Sequence, residues 1–305
     1  MRWFETPNFD FNGSRKIAYV ISGVLFFASL VAIFVQGLQY GIDFKGGKEL
    51  VLDFEDPVSV VDLRSQLSEP LGSAPEIKLF GSESEVLIRT DNESEINTVQ
   101  NIISSSVEEL YPDNPFLVIK TDVVGPRFAE DLKSGALQAV IYAIVIIFIY
   151  ILIRFRNWTF SAGAVAALIH DVVIVLGIFT IMSELVPFSL QIDQAIIAAF
   201  LTIVGYSLND TVVVFDRIRE NSNVHKGMDF MPMVNKSLND TLSRTVITSI
   251  TTLFVVSVLF IFGGEVLKGF SFALLIGIVL GTYSSLFVAS SLVVELEART
   301  NKSKK

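Results

Sequence analysis

QAIIAAFLTIVGYSLNDTVVVF, residues 194–215, is a continuous apolar run that carries an amide and a carboxylate side by side at Asn209 and Asp210. At ~1.5 Å per helical residue it is long enough to cross the ~30 Å hydrocarbon layer of a bilayer. Five further apolar runs lie around it, at 16–36, 135–153, 159–182, 246–262 and 270–292. The chain of 305 residues is 51 % hydrophobic and 18 % charged, with a mean hydropathy of +0.57. That composition excludes an ordinary soluble globule and predicts six transmembrane helices.

Arg15 and Lys16 before the first run imitate the start of a secretory signal, but the apolar stretch is too long and Gln36–Gly41 offers no small-x-small cleavage site. A retained anchor is expected. Arg2, Arg15 and Lys16 precede the first span, Arg154 and Arg156 follow the second, and Arg217, Arg219, Lys226, Lys236 and Arg244 follow the fourth. The tail adds Arg299, Lys302, Lys304 and Lys305, whereas the alternate loops 183–193 and 263–269 hold Lys268 alone. Both termini are therefore expected in the cytoplasm. The organisation that follows is a cytoplasmic segment 1–15, a first helix 16–36, an extracytoplasmic α+β domain 37–133, a five-helix transmembrane domain 134–293 and a basic cytoplasmic tail 294–305.

The inserted domain carries 19 acidic and 7 basic residues between Leu38 and Leu132, against a net charge of −9 for the whole chain. So acidic a surface argues against nucleic acid. Residues 48–54 alternate like a half-buried strand, and Ser59 can cap a short helix reaching about Leu67. Two strands follow at Ile77–Phe80 and Glu85–Thr90 around a turn Gly81–Ser84, then a helix over Glu93–Leu110 and a strand over Phe116–Val124. The order β-α-β-β-α-β predicts a ferredoxin-like domain. It has no His and no Cys, and the whole chain lacks cysteine, which excludes disulfides and thiolate metal sites.

The spans carry the functional signal. Asp171 falls at the middle of the third, where a carboxylate costs ~2.5–3.5 kcal/mol or more. It is read either as an interhelical hydrogen bond or as part of an ion path. His170 beside it is read as a satisfied histidine. In the fourth span Ala198, Thr202, Gly205, Asn209 and Asp216 recur at helical spacing as a small and polar stripe suited to close packing, and Asp210 points ~100° away. Asp210 is a functional candidate because a membrane-buried carboxylate needs a reason. Arg217, Arg219 and Glu220 read as a solvated helix end. Arg244 opens a hydroxyl-rich stretch, Thr248-Ser249 and Thr251-Thr252, whose groups can bond their own backbone or hold water. It is either a partner for Asp210 or a positive-inside arginine at a helix end. Gly277-x-x-x-Gly281 in the sixth span is a weak close-packing signature.

Four stretches together resemble the SecF family of bacterial protein-export subunits: Gly41-Ile-Asp43-Phe-Lys-Gly46-Gly47, Val124-Gly125-Pro126, Ala167-Leu-Ile-His170-Asp171, and the run from Thr202 through Asn209-Asp210 to Glu220. The resemblance covers nearly the whole chain, with departures at Lys45, Lys48 and Phe128-Ala129. It implies a fold similar to the resistance-nodulation-division transporters and a place in the bacterial inner membrane with 37–133 on the periplasmic side. The implied partners are SecD, the SecYEG channel, an exported unfolded polypeptide and the surrounding membrane lipid. It implies no cofactor or metal beyond H+ or Na+ as coupling ion. Asp210 takes the place of the family's ion-linked carboxylate and Arg244 that of its accompanying arginine; Asn209 and Asp171 complete the candidate ion-coupling set.

The function expected is a non-enzymatic auxiliary subunit that uses an ion gradient to promote polypeptide export. No nucleophile motif, metal-ligand spacing or phosphate-cradling loop points to an enzyme. Two rivals remain. One is half of an ion-coupled small-molecule efflux transporter, for which the inserted domain is small; the other is a passive scaffold with Asp171 and Asp210 as interhelical glue.

Overall fold

The computed structural model describes residues 7–183, 185–186 and 188–303, with the side chains of 265 and 301–303 excepted. Arg2, Lys304, Lys305 and the side chain of Lys302, which contribute to the expected orientation, lie outside the described residues. Among the described residues six helices are long and apolar enough to cross a membrane. They are α1 (Phe11–Gln36), α5 (Pro126–Phe155), α6 (Trp158–Met182), α7 (Gln194–Val224), α8 (Phe230–Phe262) and a last span made of α9 (Glu265–Ser284), a π-helical turn Ser285–Ala289 and α10 (Ser290–Ser303).

Several of these helices outrun their apolar stretches for physical reasons. Pro126 at the first position of α5 starts that helix ahead of its membrane run. α8 begins at Phe230 because its first turns are polar anchors for other segments. Asn235 accepts from Phe11 N at 2.8 Å and Asn239 from Phe9 N at 2.8 Å. Arg217 bridges α7 to Asp240 of α8 at 2.9 Å and also pairs with Glu220. The expectation of a merely solvated end at Arg217 is corrected accordingly: the arginine is a tie between two helices.

The inserted domain consists of β1 (Gly47–Phe54), α3 (Val60–Leu71), β2 (Glu76–Phe80), β3 (Ser82–Thr90), α4 (Ile96–Leu110) and β4 (Phe116–Val124), preceded by a short helix α2 (Ile42–Lys45). The sheet order is β2-β3-β1-β4 with every pair antiparallel, the ferredoxin-like arrangement. Ser59 caps α3 by accepting from Asp62 N, and Gly72 ends it in a left-handed conformation. Strand alternation sends Leu50, Leu52 and Ile88 into a core with Leu63 and Leu67 of α3 and Val99 and Ile103 of α4. The β2–β3 turn is tighter than expected, since β3 resumes at Ser82 immediately after Gly81.

The other sheet face presents buried Glu49, Val51, Leu87 and Arg89. Gly46 and Gly47 make the corner between α2 and β1 at φ +75° and +123°. A Cβ on Gly47 would sit 2.9 Å from Thr90 O, so both backbone angle and space require glycine there.

Candidate functional site

α7 passes through the middle of the helix packing, and its faces meet different neighbours. Gly277 and Gly281 of α9 let that helix press against it: a Cβ on Gly277 would fall 2.4 Å from Ile203, and one on Gly281 2.9 Å from Ser207. Gly205 does not pack in this way. It is exposed, with no atom within 4 Å of where its Cβ would stand, because the Ala198, Thr202, Gly205 and Asn209 face of α7 has no neighbour among the described residues. Asn209 shares that outward face and lies apart from Asp210.

Asp210 is 3 % exposed. Among the described residues its Oδ2 is buried without a hydrogen-bond partner, and so is Thr245 Oγ1 on the facing helix α8. Ser249, one turn beyond Thr245, lies next to Asp210. Its hydroxyl donates to Thr245 O at 2.8 Å and is linked to Thr282 Oγ1 of α9 at 2.6 Å. Thr248, Thr251 and Thr252 bond backbone carbonyls of their own helix. Arg244 is exposed. It lies within electrostatic range of the carboxylate. Of the two readings of Arg244, a partner for Asp210 or an arginine at a helix end, the structure shows an exposed arginine that acts on Asp210 through space, with Thr245 and Ser249 facing α7.

Asp171 is the opposite case. Its Oδ1 is bonded to His170 Nδ1 at 2.9 Å, and its Oδ2 accepts from Ser207 of α7 at 2.8 Å and from Ser284 of α9 at 2.7 Å. The carboxylate is 1 % exposed and fully engaged, joining α6, α7 and α9. The interhelical hydrogen bond that is one of the two readings of Asp171 is present, and its two serine partners have no signature in the sequence pattern. Ser207 stands three residues before Asp210, and Ser284 continues the Gly277, Gly281 series by one more helical step.

A second polar centre joins the inserted domain to the start of α7. Ile192 N donates to Gln39 O at 2.7 Å and Gly41 N to Ile192 O at 2.9 Å, a short parallel bridge between the stalk and the loop before α7. Asp43 accepts from Gln194 N at 2.9 Å, and Asp193 caps α7 by accepting from Ile196 N at 2.8 Å. Burial, reinforced by Asp43, holds the Asp193 carboxyl above its ordinary range. Above this joint Arg89 pairs with Glu49 at 2.5 Å and Glu76 at 3.3 Å and also donates to Gln191 Oε1. Gln191 donates in turn to Glu76 at 2.5 Å. A polar cavity of about 320 Å³ adjoins Asp43, Glu49, Arg89, Lys120 and Gln191. Nothing in the sequence pattern pairs Arg89 with Gln191.

Six apolar helices, a ferredoxin-like domain inserted after the first, and carboxylates buried between the helices define a multi-pass membrane protein built around intramembrane acids. A family model described as protein export membrane protein SecD/SecF, C-terminal, matches residues 103–299, and one described as the SecD/SecF GG motif matches 31–58. The chain is 56 % identical over 299 residues to the protein translocase subunit SecF of Rhodothermus marinus, covering 98 % of this chain and 96 % of that one. Against the subunit of the same name from Calditerrivibrio nitroreducens the identity is 42 % over 290 residues, with 94 % and 93 % covered. The chain belongs to the SecF family. It also superposes on the crystal structure of SecDF from Thermus thermophilus, titled a translocon-associated membrane protein, with a TM-score of 0.84 at 36 % identity. That match covers 97 % of this chain and 40 % of the SecDF chain.

Proposed function

We propose that this chain is a non-enzymatic auxiliary subunit of the Sec protein translocase, paired with a SecD-like subunit, which uses an ion gradient to promote polypeptide export through the SecYEG channel across the bacterial inner membrane. The coupling ion is a proton. The observation that carries this reading is Asp210, a buried carboxylate with an unpartnered oxygen in the seam between α7 and α8. Such a group has one oxygen open to a proton, and its charge decides how strongly Arg244 acts on it. Asp171, engaged by three side chains, serves to hold α6, α7 and α9 together.

The inserted domain is the output. It lies on the periplasmic side with both termini cytoplasmic, as the basic loops favour. Its stalk is bonded to residues 191–194, at the head of the same helix that carries Asp210. A shift of α7 is therefore passed to the domain that meets the emerging polypeptide. The small and polar face of α7 at Ala198, Thr202, Gly205 and Asn209 is the surface that receives the SecD-like subunit. Purification from native membranes with identification of the co-purifying subunits tests the assembly. A SecD-like chain in stoichiometric amount is expected, and its absence from every mild preparation overturns the pairing.

A further inference from the structure

We propose that the slot between α5, α6 and α7 is a phospholipid site, in which one acyl chain lies along the apolar wall and the anionic phosphate is held at Lys133. Of the 30 residues of α5, those buried are Ala129, Ile151 and Phe155, so the helix is held at its two ends and stands off its neighbours between them. Ala136, Val140 and Ala143 face the gap at helical spacing, and their short side chains leave it open. Val172 of α6 and Leu201 of α7 belong to the walls across from them. The cavity measures about 430 Å³, within the ~300–1,000 Å³ typical of ligand pockets. Among the described residues its lining holds two polar side chains, Tyr40 and Lys133, both at the end nearest the inserted domain.

Depth and charge select the occupant. From Lys133 to Ile144 the slot follows α5 for ~16 Å, about half of the ~30 Å hydrocarbon layer and hence the depth of one leaflet. Lys133 stands just ahead of the apolar run 135–153, at the level of the headgroups, and its Nζ lies 4.7 Å from the centre of the Tyr40 ring at the mouth. Lysine and tyrosine at that level keep their polar ends among headgroups while their stems cover apolar surface. An amphiphile with a long apolar tail and a negative head matches both parts of the site, whereas a transmembrane helix matches the wall alone. The slot is also separate from the α7 face assigned to the SecD-like subunit, since Ile197 and Val204 lie ~100° round the helix from Ala198 and Gly205. Its roof is the joint to the inserted domain: Tyr40 and Ile192 form the parallel bridge, and Phe44 belongs to the short helix before the Gly46–Gly47 corner. A bound chain fills the space directly beneath the contact between stalk and α7.

The chain has no cysteine, so one introduced thiol carries a single label. Bimane is attached to the full chain at Leu137→Cys, exposed at the mouth of the slot, or at Gln138→Cys, exposed on the opposite face of α5 at the same depth. Each protein is reconstituted in phosphatidylcholine bilayers doped with phosphatidylglycerol or phosphatidylcholine bearing the same nitroxide-labelled chain. The label at 137 is expected to be quenched ~5-fold more efficiently by the anionic lipid, the size of effect one lysine exerts near a membrane surface. The label at 138 is expected to be quenched equally by both, and Lys133→Gln is expected to remove the preference at 137. Equal quenching by the two lipids at 137, or a preference that survives Lys133→Gln, overturns the site, because that face then meets lipid only as solvent. Adding the SecD-like subunit before the measurement decides between lipid and protein as occupant. A preference retained in that complex supports the site, and loss of quenching by both lipids overturns it by giving the slot to a protein helix.

Discussion

Ser207 donates its hydroxyl to Oδ2 of Asp171 at 2.8 Å, with both side chains buried between α6 and α7. One turn further along α7, Asp210 Oδ2 has no partner. The same helix is tied down on one face and left unsatisfied on another, which is the arrangement a moving element needs. Removing the tie isolates its worth. Ser207→Ala leaves Asp171 with two hydrogen-bond partners instead of three and is expected to cost ~1–3 kcal/mol. Thermal unfolding in detergent should fall accordingly, with the Asp171→Asn, Ser207→Ala double variant losing less than the sum.

Gly277 and Gly205 separate packing inside the chain from packing against something else. A methyl group on Gly277 overlaps Ile203, so Gly277→Ala is expected to destabilise the isolated chain by ~1–3 kcal/mol. Gly205→Ala meets open space and should leave its thermal unfolding unchanged or slightly raised. The order reverses for assembly with a SecD-like subunit, where Gly205→Leu is expected to weaken co-purification.

Arg89 is the keystone of the joint between the inserted domain and the loop before α7. Arg89→Met strands Glu49, itself buried, at a cost of ~3–5 kcal/mol, softened by Lys120, which reaches Glu49 at 3.0 Å. Gln191→Ala removes the link across the joint without stranding a charge. With spin labels at exposed Val61 and Phe262, both variants are expected to broaden the distance distribution, and an unchanged narrow distribution would refute the joint.

Asp193 gives the joint a pH dependence of stated sign. Its carboxyl is held above the ordinary range by burial and by Asp43, so the folded state binds that proton more tightly than the unfolded chain does. Its stabilising contribution is present below the ordinary carboxylate range and is lost as pH rises through the raised value. Asn at this position keeps the cap on α7 and removes the ionisation. Asp193→Asn is thus expected to match the wild type in thermal unfolding at acid pH and to exceed it at neutral pH.

The six spans and the β-α-β-β-α-β order were legible because hydrophobic length and strand alternation are local properties of the chain. Asp171 and Asp210 were legible for the same reason, as carboxylates inside apolar runs. The sequence left Arg244 open between a partner for Asp210 and an arginine at a helix end, since the rotation of α8 about its axis depends on packing with α7 and α9. The glycine and asparagine of the α7 stripe were read as packing and ion-coupling residues, yet that face is open among the described residues. The Arg89–Gln191 joint was invisible, for it links a strand to a loop 102 positions away with no periodic signature.

The central claim is that the charge of Asp210 couples an ion gradient to export. Its most direct measurement is polypeptide translocation into vesicles carrying the translocase and the SecD-like partner, with and without an imposed proton gradient, for the wild type and Asp210→Asn. The gradient-dependent increment is expected to vanish in the variant, with assembly and the gradient-independent rate retained. An undiminished increment in a correctly assembled Asp210→Asn complex would contradict the claim.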